Sequence, residues 1–139
     1  MREGLPEAQT RTGASIKNDI SIPIALIPDF IEEAAKIVTQ IVPNCIPTPF
    51  GHMGDGNLHY NIMQPFSMER DDFMQHRERM ISAIDALVIS MKGSISAEHG
   101  IGQLKAGKLA KYKSNVEMDM MRAVKNALDP EGIFNPGKI

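Results

Sequence analysis

Apolar and polar residues alternate over residues 15–22, with Ile16, Asn18, Ile20 and Ile22 on one face and Lys17, Asp19 and Ser21 on the other. A period of two predicts a half-exposed strand, and Pro23 ends it. Over residues 28–42 the period lengthens to that of a helix, with Ile31, Ala34, Ala35, Val38, Ile41 and Val42 as the apolar stripe. Proline in the first turn, with Asp29, Glu32 and Glu33 near the N-terminus, marks its start, and Pro43-Asn44 stops it. Residues 45–53 and 57–63 read as the two arms of a hairpin. Residues 68–92 carry Phe73, Met80, Ile84, Leu87, Val88 and Met91 at helical spacing, which predicts the longest helix, closed by Gly93. A short strand follows over residues 94–97. Residues 102–112 are a basic, solvated stretch holding a short helix. Ser114-x-x-Glu117 is a capping box opening a helix to Leu128, with Val116, Met120, Val124, Ala127 and Leu128 expected on its buried side. The order predicts an α+β fold, an antiparallel sheet with helices packed on one face.

The hairpin holds the chemistry. Gly51-His52-Met53-Gly54-Asp55-Gly56-Asn57-Leu58-His59-Tyr60-Asn61 centres on Asp-Gly, a signal for a two-residue type I′ turn. With Asp55 and Gly56 in the turn, His52 faces His59 on one side of the ladder, and Asn61 projects to the same side. Two imidazoles so placed can converge on one metal ion. Ser96-Ala97-Glu98-His99-Gly100-Ile101-Gly102 adds a carboxylate and a further imidazole. His52, His59 and Glu98, with an open position, make the ligand set of a catalytic divalent-metal site. His99 remains over as a proton acceptor beside it.

Composition changes this picture little. Among 139 residues, 42% are hydrophobic and 23% charged, and the net charge is −2, so nothing points to nucleic acid or an anionic membrane. No apolar run approaches the roughly 20 residues of a membrane span. The first residues lack the basic-then-apolar pattern of a secretory leader. The single cysteine, Cys45, allows no internal disulfide and fits a reducing compartment, the cytoplasm or the mitochondrial matrix. Ten methionines are spread over helices as core filler.

The glycine-histidine block at 51–59, the Ser-Ala-Glu-His-Gly-Ile-Gly block at 96–102 and the closing Phe134-Asn135-Pro136-Gly137-Lys138 together resemble the C-terminal domain of the FAD-linked oxidases, over residues 1–139. Members of that family act on D-lactate, glycolate or D-2-hydroxyglutarate. The resemblance implies a ferredoxin-like substrate domain. It implies an FAD-binding half, in cis or in trans, that lies upstream and is absent from this chain; the start at Met1-Arg2-Glu3-Gly4 then suggests a truncated gene product. It also implies that Arg2 and Lys17 bind the substrate carboxylate, and that the tail brings Asn135 towards the cofactor. Pro6 stands where the D-2-hydroxyglutarate enzymes carry a hydroxyl residue, which leans towards a shorter acid.

The expected activity is oxidation of a small 2-hydroxy acid to a 2-oxo acid, with hydride transfer to FAD and a divalent metal, zinc, as Lewis acid. His52, His59 and Glu98 hold the metal, His99 is the base and Asn61 hydrogen-bonds substrate. No G-x-G-x-x-G fingerprint is present, so the flavin is expected to be held mainly by the missing half, and a homodimer is a further expected assembly. The alternatives are a stand-alone metal-dependent hydrolase and a non-enzymatic folded fragment.

Overall fold

The computed structural model describes residues 13–139. The chain forms two compact units, Met1–Glu98 and His99–Ile139. In the first, β1 (Ser15–Ile16), β2 (Asp19–Ser21), β3 (Ile46–Phe50) and β4 (Asn57–Met63) make one antiparallel sheet with β4 at its centre. β1 and β2 run along one edge of β4 in a single register, Ile16 opposite Ile62 and Ile20 opposite Leu58. They are the one strand predicted from the alternation, interrupted at Lys17-Asn18. There the Asn18 side chain joins the ladder: its amide Nδ2 donates to the Tyr60 carbonyl at 2.9 Å, while the Asn18 backbone carbonyl accepts from the Tyr60 N–H at 2.9 Å. β3 takes the other edge. The short strand expected over residues 94–97 is reduced to one bridge, in which Ser21 and Ser94 exchange both backbone hydrogen bonds at 2.9 Å. Counting that bridge as the last strand, the order across the sheet is fourth, first, third, second, the arrangement of a β-α-β-β-α-β unit.

The helices that connect these strands are α1 (Ile27–Ile41), α2 (Arg70–Gln75) and α3 (Arg77–Ser90). α1 packs against α3. The single helix expected over 68–92 is divided at His76, whose backbone ends α2 and begins α3. Leu58, Tyr60 and Ile62 alternate along one face of β4 and are buried with Ile16, Ile20, Phe30, Val38, Met80, Ile84 and Val88. Phe30 of α1 meets Tyr60 edge-on, with ring centroids 5.5 Å apart and planes at 78°. That geometry is worth about 0.5–1.5 kcal/mol beyond the area buried. Burial pushes both the Tyr60 phenol and the Cys45 thiol above their usual titration ranges.

The hairpin differs from the two-residue turn that Asp-Gly predicts. β3 stops at Phe50, and residues 51–56 connect it to β4. Met53–Asp55 form a short 3-10 turn, and of the Asp55-Gly56 pair only Gly56 is left-handed, at φ 71°. The loop closes on the His52 carbonyl, which accepts from the Asp55 and Asn57 amides at 3.0 and 3.2 Å. The strands pinch together at its base: a Cβ on Gly51 would stand 2.4 Å from the Asn57 carbonyl oxygen. Phe50, and not His52, is therefore paired with His59. The pairing has slipped by two positions, an even number, so His59 keeps the face predicted for it.

The second unit contains α4 (Ala106–Tyr112) and α5 (Asn115–Leu128). The capping box forms in full: Ser114 Oγ accepts from the Glu117 N–H at 3.2 Å and Glu117 Oε2 from the Ser114 N–H at 3.0 Å. The stripe expected to be buried is exposed instead, from Val116 at 69% to Leu128 at 76%, and Met118 is the buried residue of the helix. The tail folds back on Asp129, whose carboxylate pairs with Lys125 and accepts from the Ile133 and Phe134 amides at 2.8 and 3.0 Å. The Lys125 ammonium and those two amides hold the Asp129 carboxyl below the usual carboxylate range.

Candidate metal centre

On the face of β4 opposite Tyr60, the residues alternate Asn57, His59, Asn61 and Met63. The register sets Asp19 beside His59 on one edge, and Phe50 beside it on the other. The Phe50 ring stacks on the His59 imidazole, centroids 5.1 Å apart and planes at 28°. The Ser21–Ser94 bridge carries the following segment along the outer edge of β2. Glu98 arrives with its N–H 3.1 Å from Asp19 Oδ2.

The Glu98 carboxylate lies between two imidazoles. Its Oε1 is 3.1 Å from His52 Nδ1, and its Oε2 is 3.4 Å from His59 Nε2. Two donors bound at about 2.0–2.2 Å to one ion stand about 3–3.5 Å apart when they subtend roughly 90–110° at it. The observed separations fall in that range, and imidazole nitrogen with carboxylate oxygen is a donor set that suits zinc and neighbouring divalent ions. The residues present therefore fit a divalent cation. Asp19, His59 and Glu98 offer ligand atoms all within 4.8 Å of one another; His52 stands outside that group and adjoins it at Glu98 Oε1.

His52 does this from outside the ladder, at the entrance to the 3-10 turn. Asn61 is buried at 4% exposure beside Thr48, whose hydroxyl donates to the Asn61 carbonyl at 3.2 Å. Lys17 is exposed at the interruption between β1 and β2. Arg2, expected to bind a carboxylate, lies outside the described residues, as does Pro6. His99 is exposed and begins the second unit. Asn135 belongs to that unit too, with a left-handed backbone at φ 47°. It borders an apolar groove of about 560 Å3 lined by Met120, Val124, Leu128, Phe134 and Ile139.

Asp19 is the residue that sequence reasoning missed. An acid between Lys17 and Ser21 on the polar face of a strand reads as solvated, yet it is 8% exposed. No signal within that one strand could have found it, because the position follows from its register with a second strand. Once that strand is paired antiparallel with β4, Asp19 falls opposite His59.

These features define a sheet-borne cluster of imidazole and carboxylate donors on an α+β domain. The chain belongs to the family of FAD linked oxidases, C-terminal domain, whose model matches residues 1–139. It is 43% identical over 123 residues to a D-2-hydroxyglutarate dehydrogenase of Stutzerimonas stutzeri, an alignment covering 88% of this chain and 26% of the relative. It is 37% identical over 139 residues to the D-2-hydroxyglutarate dehydrogenase of Xanthomonas citri, covering 100% of this chain and 29% of that protein. A mitochondrial D-2-hydroxyglutarate dehydrogenase of Danio rerio is 37% identical over 142 residues, 99% of this chain and 25% of the relative. The chain thus spans about a quarter of the length of the curated relatives it matches.

Proposed function

We propose that this chain is the substrate- and metal-binding domain of an FAD-dependent D-2-hydroxyacid dehydrogenase, with D-2-hydroxyglutarate as substrate. The observation that carries the reading is the Glu98 carboxylate set between the rings of His52 and His59, in a chain that matches the family along its whole length. The relatives named for D-2-hydroxyglutarate favour that longer acid over the shorter one to which Pro6 leans. Membership of an oxidoreductase family weighs against a stand-alone hydrolase.

In this reading His52, His59 and Glu98 hold a divalent cation, zinc first among candidates. The cation would polarise the substrate hydroxyl and lower its pKa, while FAD, held mainly by the portion of the relatives that this chain does not span, would accept the hydride from C2. The chain's own residues position the acid and move the proton. Lys17 presents an exposed ammonium that would neutralise a substrate carboxylate, with Arg2 as its partner in that task. The Asn61 side-chain amide would hydrogen-bond the substrate from the floor of the sheet. His99 follows Glu98 directly in the chain and would take the hydroxyl proton on an imidazole nitrogen. Asn135, on the closing tail, would reach towards the flavin. No helix among the described residues is long and apolar enough to cross a membrane, and relatives of this chain carry mitochondrial names. A mitochondrial or bacterial cytoplasmic setting fits the reading.

The test is elemental analysis of the purified chain after zinc loading and dialysis. We expect about one ion per chain, lost in the His52→Ala/His59→Ala double variant. Mixing with the flavin-binding portion of the Stutzerimonas relative should then give dye reduction that depends on D-2-hydroxyglutarate. A chain that takes up no ion, alone or in that mixture, would refute the ligand assignment.

A further inference from the structure

Asp19 is buried, faces two members of the cluster at once and has no role in the roles assigned above. It stands opposite His59 in the β2–β4 register. Its Oδ2 accepts from the Glu98 N–H at 3.1 Å, and its Oδ1 is 3.8 Å from His59 Nδ1. The other ring nitrogen, Nε2, faces Glu98 Oε2 at 3.4 Å. The lone-pair directions of the two imidazole nitrogens diverge, so one ion can be served by only one of them. The nitrogen on the side of Glu98, and through Glu98 of His52, is Nε2. Asp19 therefore lies behind the ring.

A carboxylate at 8% exposure is costly unless N–H donors face it. The Glu98 amide is one such donor, and a proton on His59 Nδ1 would be another. The Phe50 ring, stacked 5.1 Å away, restrains rotation of the imidazole out of this arrangement. Asp19 thus adjoins two segments that meet only in the folded chain: β4, beside the ring of His59, and the segment after Ser94, through the hydrogen bond from the Glu98 N–H.

We propose that Asp19 is a positioning residue of the metal centre. It favours the His59 tautomer that carries its proton on Nδ1, leaving the Nε2 electron pair for the cation, and it anchors the backbone from which Glu98 extends. This inference rests on the reading of His52, His59 and Glu98 as the cation ligands. Groups behind a ligating imidazole commonly change metal affinity by about 10–100-fold when removed.

The experiment compares the wild-type chain with Asp19→Asn, which keeps the shape and an acceptor for the Glu98 amide while removing the charge. Circular dichroism first establishes that the variant is folded. Zinc affinity, measured by competition with a chromophoric chelator, should fall about 10–100-fold. The visible spectrum of the cobalt-substituted variant should keep the band pattern of the wild type, because the ligand set is unchanged. In the zinc-loaded wild-type chain, the 15N spectrum of His59 should place the metal-shifted resonance on Nε2 and the proton on Nδ1. That measurement needs no variant, so it decides the matter even if Asp19→Asn does not fold. Zinc affinity within twofold of wild type, a cobalt spectrum showing a lost ligand, or a metal-shifted Nδ1 would each overturn the proposal. Failure of the wild-type chain to bind zinc would instead sink the underlying site.

Discussion

Gly56 offers the sharpest test of how the hairpin loop is built. Its backbone is left-handed at φ 71°, and a Cβ there would stand 2.5 Å from the Ile22 carbonyl oxygen. Its own carbonyl accepts from the Ile22 N–H at 2.8 Å, fastening the loop to the strand that carries Asp19. Gly56→Ala therefore meets two penalties. A left-handed backbone costs a residue with a Cβ about 1–2 kcal/mol. Relief of the contact requires Ile22 to move, which loses a hydrogen bond worth about 0.5–1.5 kcal/mol. The sum, roughly 1.5–3.5 kcal/mol, corresponds to a melting temperature lowered by roughly 5–15 °C in a domain of this size. Gly54, two residues away, has nothing within 4 Å of its Cβ position and no left-handed backbone, so Gly54→Ala should change stability by less than about 0.5 kcal/mol. Thermal melts followed by far-ultraviolet circular dichroism compare the two. Equal effects of the two substitutions, or a neutral Gly56→Ala, would refute the account of why glycine stands at that place in the motif.

Other outcomes follow from the core and from the second unit. Phe30→Ala removes a fully buried ring from against Tyr60 and should cost about 3–5 kcal/mol, read from chemical denaturation. The Glu117 carboxyl is lowered from 4.5 to about 2, first by its hydrogen bond from Lys113 and then by the backbone and hydroxyl of Ser114. A carboxyl lowered by folding contributes stability that is complete above its unfolded value and lost as pH falls through the folded one. Helix content of the second unit should accordingly decline between pH 4.5 and about 2, and Glu117→Gln should flatten that decline.

Much of the fold was legible where one local signal governs. β4 occupies the residues read as the second arm of the hairpin, α1 lies within a residue of its predicted bounds, and the Ser114–Glu117 box forms both its hydrogen bonds. Each is a short-range matter of periodicity or capping. The hairpin loop was misread because Asp-Gly reports a tight turn only when the strands reach it, and close approach at Gly51 ends the pairing earlier. The division at His76 was not visible because apolar residues keep helical spacing on both sides and neither glycine nor proline marks the point. The stripe on α5 has the pattern of a buried face, and pattern alone does not say what covers it. Residue type and motif singled out His52, His59 and Glu98, whose side chains the fold brings together. Asp19 was hidden because its role follows from strand register, a property of two segments that neither reveals alone.

The residues of the cluster come from β2, the hairpin and the segment after the Ser21–Ser94 bridge, and Asp19 and Glu98 are 79 positions apart. No contiguous peptide short of nearly the whole first unit can therefore reproduce the centre: a hairpin peptide supplies two rings without either acid. A loop closed over such a length is entropically expensive, and two backbone hydrogen bonds at the bridge hold the far end of it in register. Damage at that seam would disperse the donors while leaving most of the sheet standing, so loss of function in this chain need not announce itself as loss of structure.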